Sequence, residues 1–435
     1  MSHRPRPMFL IVLVIPVLAA ILAAGYFLVV SMTDDPDPAP APPETPQATV
    51  ISNVSSPESD AGTPEPNAGT SETGSLTDLM SYAPDRLSDG SLPLPEVATY
   101  SNISAWLRYQ GLPEGSLTED QAASLALPPI LAGRGLDSEW EATYGFSLAD
   151  VDQVLAIGQA PDYIMVLRGQ FDSDAMMAAW TSGAYQAVAV DGTTIWSVHP
   201  VETDAVDLSN PSSRLAMGSF NNLVLLEDGT LIATAKFSRM QSVLPVINGE
   251  APSIAANGDI EMLLELEAGD RGYLTAVIAR GDFLESAPAD TRVTLPAATS
   301  SDRGANTVAT PDPGEMPEVR MVLFGLMAPD DTVREATPVA TPSPDVAAVV
   351  TLALVLDEDV VAGTMDAIGS RFETEISLTT GEPFADSWTL SGSISDEDSP
   401  LLEIEMMATS TFIDWIQLVD NRDFGFLTWT GNETP

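Results

Sequence analysis

Two histidines, one lysine and 63 carboxylates are the groups from which this chain could build reaction chemistry. His3 precedes a long apolar run, so imidazole chemistry beyond that run falls to His199 alone, and paired-histidine metal motifs such as H-E-x-x-H are excluded. A Ser-His-Asp arrangement around His199 needs partners from elsewhere in the chain. No G-x-S-x-G elbow nominates the serine, and His199 stands at the end of a strand pattern before Pro200, which favours a structural role. Lys236 is the sole amine for a Ser-Lys dyad or a Schiff base. Ser238 lies two residues on, no S-x-x-K pattern surrounds it, and a position at a helix start reads as a surface cation. The phosphate-cradling patterns G-x-x-x-x-G-K-[ST] and G-x-G-x-x-G are absent, since Gly133-Arg134-Gly135 lacks the third glycine.

Carboxylates remain, and two of them held roughly 5 to 9.5 Å apart could hydrolyse a glycoside. The local groups are Asp150/Asp152, Asp172/Asp174, Asp357/Glu358/Asp359 and Asp396/Glu397/Asp398. Asp172 and Asp357 stand where helix N-caps belong, and the 396–398 group resembles a solvated hairpin tip before Pro400. A high-affinity calcium loop needs oxygen ligands alternating over about a dozen residues with a turn glycine, and no D-x-D-x-D-G is present. Trp180, Trp196, Trp388, Trp415 and Trp429 fall on apolar faces and read as core. Arg168 and Arg280 each end an apolar run before glycine, positions suited either to a strand end or to clamping an anion. This inventory assigns no catalytic, cofactor-binding or metal-binding residue, and it implies no cofactor.

The elements that must position these groups follow from periodicity. Val151–Ile157, Tyr163–Leu167, Tyr185–Val190 and Thr194–Val198 are β-rich runs, the last two joined by Asp191-Gly192, a type I′ hairpin signal. Asn222–Leu226 and Leu231–Thr234 form a second hairpin around Asp228-Gly229. Helices are expected at Ser173–Ser182, capped by Asp172, and at Lys236–Asn248, where Phe237, Met240, Leu244 and Ile247 line one face. Asp259–Glu267 suits helix or strand, and Gly272–Ala279 a further strand. In the C-terminal part, Val319–Ala328 is expected to pair with Val346–Leu356, followed by a helix through Val361, Met365, Ile368 and Phe372. Strands at Trp388–Ile394, Leu401–Met407 and Phe424–Trp429 complete the pattern, with a short helix near Phe412–Leu418.

The expected fold class is therefore α+β: two antiparallel-sheet-plus-helix units, 145–284 and 319–435, with helices on one face of each sheet. A shared order of strand, acidic cap and helix suggests duplication. A linker or long loop, 285–318, separates them, and a Pro-rich loop, 329–345, interrupts the second. Residues 76–144 read as a loose helical lead-in, with Asn102 capping the helix that carries Ile103, Trp106 and Leu107.

Ahead of the folded part, Met8–Val30 offers 23 uncharged, mostly apolar positions, about 34 Å as a helix against a hydrocarbon core of roughly 30 Å. Arg4 and Arg6 precede it and Asp34, Asp35 and Asp37 follow. The positive-inside rule thus places residues 1–7 in the cytoplasm and the chain beyond residue 30 outside. A cleaved secretory signal is the competing reading, but Tyr26–Val30 prolong the apolar run past the candidate cleavage alanines. Residues 31–75 hold nine Pro, eight acidic residues and no basic one, the composition of a disordered stalk.

Charge bounds the partners. Beyond residue 30, 15 basic residues face 63 acidic ones, a balance of −48, which excludes sequence-independent nucleic-acid binding and disfavours docking on anionic lipid. Attachment to a bilayer then falls to residues 8–30. The absence of cysteine removes disulfides, thiolate nucleophiles and sulfur-ligated zinc, and points to a bacterial or archaeal envelope. The expected function is a non-catalytic ectodomain binding a protein, glycan or small molecule. The alternatives are a carboxylate-dependent hydrolase of envelope polymers and a cation-dependent adhesion or structural surface protein.

Overall fold

Among the described residues twelve strands, each antiparallel to its neighbours, form one sheet in the order β11-β12-β10-β9-β8-β1-β2-β3-β7-β6-β5-β4. A computed structural model describes residues 75–86, 97–158, 160–199, 208–266, 272–281, 319–327, 349–356, 361–373, 377, 383–394, 400–408 and 427. The strands are β1 Val97–Asn102, β2 Val151–Ile157, β3 Ile164–Gly169, β4 Gln186–Val190, β5 Thr193–Ser197, β6 Asn222–Leu225, β7 Thr230–Thr234, β8 Tyr273–Arg280, β9 Met321–Met327, β10 Val349–Val355, β11 Trp388–Ile394 and β12 Leu401–Ala408. Helices are α1 Leu76–Met80, α2 Ile103–Tyr109, α3 Glu119–Ala122, α4 Pro129–Arg134, α5 Ser138–Tyr144, α6 Ser173–Ser182, α7 Pro211–Leu215, α8 Phe237–Ile247, α9 Gly258–Glu265, α10 Val361–Phe372 and α11 Phe384–Ser387.

Local chemistry accounts for the element starts. Asp172 accepts from the N–H groups of Asp174 and Ala175 at the head of α6, and Asn102 accepts from Ala105 N–H at the head of α2. Asp191 and Gly192 take φ of 48° and 84°, the doubly positive pair that a type I′ turn needs, and the turn joins β4 to β5 in the expected register. Val319–Ala328 and Val346–Leu356 do pair, through Met321↔Val355 to Met327↔Val349. The positions expected for Asp357, Asp396–Asp398, the strand Phe424–Trp429 and the helix Phe412–Leu418 lie outside the described residues, Leu427 apart.

Three expectations are corrected. The regions 145–284 and 319–435 do not have separate sheets, because β8 of the first pairs with β9 of the second and one sheet runs through both. Residues 76–144 are not merely a loose helical lead-in, because they supply β1, which pairs with both β2 and β8 and so occupies the middle of the sheet. Its sequence, Val-Ala-Thr-Tyr-Ser-Asn, is short and half polar, so periodicity alone gives it little weight. Helices also cover both faces, not one. On the first face Ile164, Val166, Tyr100, Leu155, Ile278, Leu323 and Ala353 join α1, α8 and α9 in one continuous core.

The second face is divided. Met165, Leu167, Val154 and Leu223 pack beneath α2, α4, α5 and α6, whereas Val277, Phe324, Leu352 and Ile404 pack beneath α10. Along the seam the fully buried Ser101 and Thr275 stand opposite each other, hydroxyl to hydroxyl at 3.2 Å. Thr275 also donates to the Tyr100 carbonyl at 2.8 Å and accepts from Ala126 N–H at 3.3 Å, so the seam is polar yet satisfied. Burial on both faces explains why β9 and β10 read as near-continuous apolar runs without alternation, interrupted only by the buried Thr351 in β10. The sheet is continuous across β8 and β9, through Tyr273↔Met327 to Arg280↔Met321.

Candidate functional site

The residues singled out for chemistry separate to the two ends of β3 and β7. At the end where Ile164 pairs with Thr234, the chain past β7 brings Lys236 opposite the β2–β3 loop, and Lys236 Nζ donates to Asp162 Oδ2 at 2.7 Å. Arg239, one turn into α8, adds Nη2 to the same oxygen at 3.2 Å. Burial alone raises the Asp162 pKa, but the hydrogen bonds from Lys236 and Arg239 outweigh it and hold the carboxyl below its ordinary range. An Asp fixed as the anion between two cations is a poor general acid.

Next to this ion cluster lies a buried polar chain. Asn222 Nδ2 donates to the carbonyls of Thr234 and Ala235 at 3.3 and 3.2 Å, and the Thr234 hydroxyl donates to the Lys236 carbonyl at 2.9 Å. The Ser197 hydroxyl has one proton to share between Asn222 Oδ1 at 2.7 Å and the His199 carbonyl at 2.6 Å. Ser213 donates to Asn221 Oδ1 at 2.7 Å, and the Ser219 hydroxyl reaches the Pro161 carbonyl at 3.3 Å, tying this region to the loop that carries Asp162. Asn221 Nδ2 and His199 Nε2 are buried without a hydrogen-bond partner among the described residues. His199 and Lys236 therefore share one end of the sheet, but the Ser197 hydroxyl bonds to the His199 carbonyl and not to its ring.

At the opposite end, Arg168 Nη1 lies 3.9 Å from Asp78 Oδ2. Asp228, which accepts a short hydrogen bond from the Tyr82 hydroxyl, is held below its ordinary pKa despite its burial, by that bond, by Thr230 and by the Arg168 charge. Arg168 thus already faces two carboxylates. Arg280 is exposed at the end of β8.

Three of the paired-carboxylate candidates are committed to structure, and Asp357, Glu358, Asp359, Asp396, Glu397 and Asp398 lie outside the described residues. Asp150 accepts from Ser147 N–H at 2.8 Å in a capping box, Asp152 takes the Ser104 hydroxyl at 2.5 Å, and Asp172 caps α6. Trp180 and Trp388 are core, whereas Trp196 is half-buried; Trp415 and Trp429 lie outside the described residues. Among the described residues no group of three His, Asp or Glu could hold a metal ion, and no helix is long and apolar enough to cross a membrane. Met8–Val30 lies outside them.

One surface feature escaped the residue-by-residue reading. Among the described residues the sheet terminates at β4, and the β4–β5 hairpin joins the rest through two ladder pairs, Trp196↔Leu223 and Ser197↔Asn222, followed by the bond from Val198 N–H to the Asn221 carbonyl at 2.9 Å. Along β4, Gln186, Ala187 and Ala189 are exposed and Val188 and Val190 half-buried. From Thr181 to His199 the only charged residue is Asp191. Natural edge strands are commonly guarded by lysine, proline, a bulge or a covering element. β4 has no proline or charge, and its pairing with β5 runs without a bulge. The Asp191-Gly192 signal and the neutral run were both legible beforehand, but not that this hairpin ends the sheet.

No protein-family model, curated protein or solved structure matches the chain.

Proposed function

We propose that this chain is a non-catalytic binding ectodomain, held to a membrane by residues 8–30, raised on the stalk 31–75 and facing away from the cytoplasm. The carrying observation is the uncharged β4 edge, unpaired among the described residues, which offers main-chain donors and acceptors for strand addition. The engagement of Asp150, Asp152, Asp162 and Asp172 in caps and ion pairs supports a binding role over carboxylate-based hydrolysis.

The mirrored strand order on either side of the β1–β8 pair supports a second part of this reading, that the sheet arose from two related units. β1-β2-β3 with α6 and the returning β7 would correspond to β8-β9-β10 with α10 and the returning β12.

Two measurements test the main proposal. A reporter joined after residue 75 should be active only outside the cytoplasm, and activity inside would overturn the topology. In the full-length protein at low concentration, the Ala187 and Ala189 amides should exchange with solvent far faster than those of β3. Equal protection would mean that another part of the chain already covers the edge.

A further inference from the structure

We infer that the partner of the β4 edge is a second copy of this chain, added antiparallel about a two-fold axis through Val188; this rests on the open-edge reading above. The register follows from the turn. A two-residue type I′ turn is closed by Val190 and Thr193 as a hydrogen-bonded pair, and the alternation then directs the N–H and C=O of Val188 and Gln186 inward to β5. The corresponding groups of Ala187 and Ala189 point to the free edge. A two-fold through Val188 sets Ala187 against Ala189 of the other copy, twice, so all four outward-facing residues pair with one another. Val188 meets its own counterpart in the closer, non-hydrogen-bonded position on the face that packs on the core, and the small, exposed Ala187 and Ala189 leave the opposite face unobstructed.

Charge selects the occupant. The chain carries a formal −46, so two copies repel wherever carboxylates approach. A basic partner would gain from acidic residues around its site, and only a partner with the same charge needs them absent. β4 and β5 form such a place, with Asp191 as the sole charge from Thr181 to His199. In the Val188-centred register the two Asp191 side chains stand six residues apart along the strand, about 20 Å, well beyond a Debye length of roughly 8 Å at physiological salt.

The absence of cysteine supplies a clean test in the full-length protein. Under copper-phenanthroline oxidation, Val188→Cys should cross-link to a dimer at least about tenfold faster than Gln186→Cys, whose copies lie roughly 14 Å apart along the strand. In sedimentation equilibrium the unmodified chain should dimerise more tightly as NaCl rises, because salt screens like charges, and Ala189→Lys should stay monomeric. Equal cross-linking of the two cysteine variants, or a monomer at every salt concentration, overturns the inference. In that second case fast exchange at Ala187 and Ala189 would leave the edge open for a different partner, whereas protected amides in a monomer would overturn the open-edge reading as well.

Discussion

The strands β1 to β7 and β8 to β12 begin on the same plan and end differently. Each set opens with a three-strand meander, sends a helix out after the third strand, and returns a later strand beside that third one: β7 beside β3, and β12 beside β10. Between the helix and the returning strand, the first set inserts β4, β5 and β6, whereas the second inserts β11. The consequence is a difference in cover. β9 is buried along its whole length and β10 at all but its first residue, while β4 carries no fully buried residue. Among the described residues the extra strands laid outward from a covered centre outrun the helices that could shield them, and the outermost hairpin is left with two ladder pairs to β6 and no strand on its outer side. The first set also holds the dense aromatic group of Trp140, Tyr144, Phe146 and Phe220, with Tyr144 and Tyr185 hydroxyls bonded to the carbonyls of Ser212 and Phe220.

Four substitutions probe how far that difference reaches. Trp180 is fully buried beneath β1–β7 and donates to the Tyr144 carbonyl at 3.0 Å, so Trp180→Ala should cost about 3–5 kcal/mol in urea unfolding. Because one core runs under both sets on the first face, the loss should appear as a single transition by fluorescence and by circular dichroism. Two separated transitions would show that the sets unfold independently.

On the other side of the seam, a Cβ on Gly325 would lie 2.3 Å from the Tyr273 ring, so Gly325→Ala should cost roughly 1–3 kcal/mol through overpacking. A neutral result would mean that the Tyr273 ring can move aside, helped by the register shift between Tyr273 and Thr275. At the polar end, Asp162→Asn should remove roughly 1 kcal/mol near neutral pH, the scale of a partly exposed ion pair. Its folded pKa is depressed, so its contribution is present above the ordinary value of 3.8 and lost as pH falls through the lower folded value. The wild type and variant should therefore converge in acid, and a constant gap from neutral pH down to well below that value would remove the ion-pair explanation. Smallest of all, Ala189→Lys lies on an exposed edge position and should change monomer stability by less than about 0.5 kcal/mol. A larger loss would show that the edge is packed against another part of the chain.

Much of the element pattern was legible because it depends on neighbours in sequence. Ser173–Ser182 forms a helix with its Asp172 cap where spacing and capping chemistry require one, and Trp388–Ile394 and Val151–Ile157 are strands at their expected limits. β1 was missed because a six-residue strand with Thr, Ser and Asn has no strong local signature, and its stability comes from β2 and β8, fixed 50 or more residues away. Helices on both faces were missed for a related reason, since a strand buried twice and one buried once differ in their neighbours as much as in their residues. The site was legible only in part. Lys236 could be placed at a helix start from its surroundings, but its ion pair spans 74 residues to Asp162, and no spacing rule reaches that far.

Composition, the acidic balance, the apolar run near the N-terminus, the helix caps and the type I′ turn are properties of short stretches, so the chain's own order of residues determines them. Which strands stand side by side, where the sheet stops, and which carboxylate meets which cation are decided by long-range contacts that bury apolar surface cooperatively. That is why the open edge at β4 emerges only from the assembled sheet.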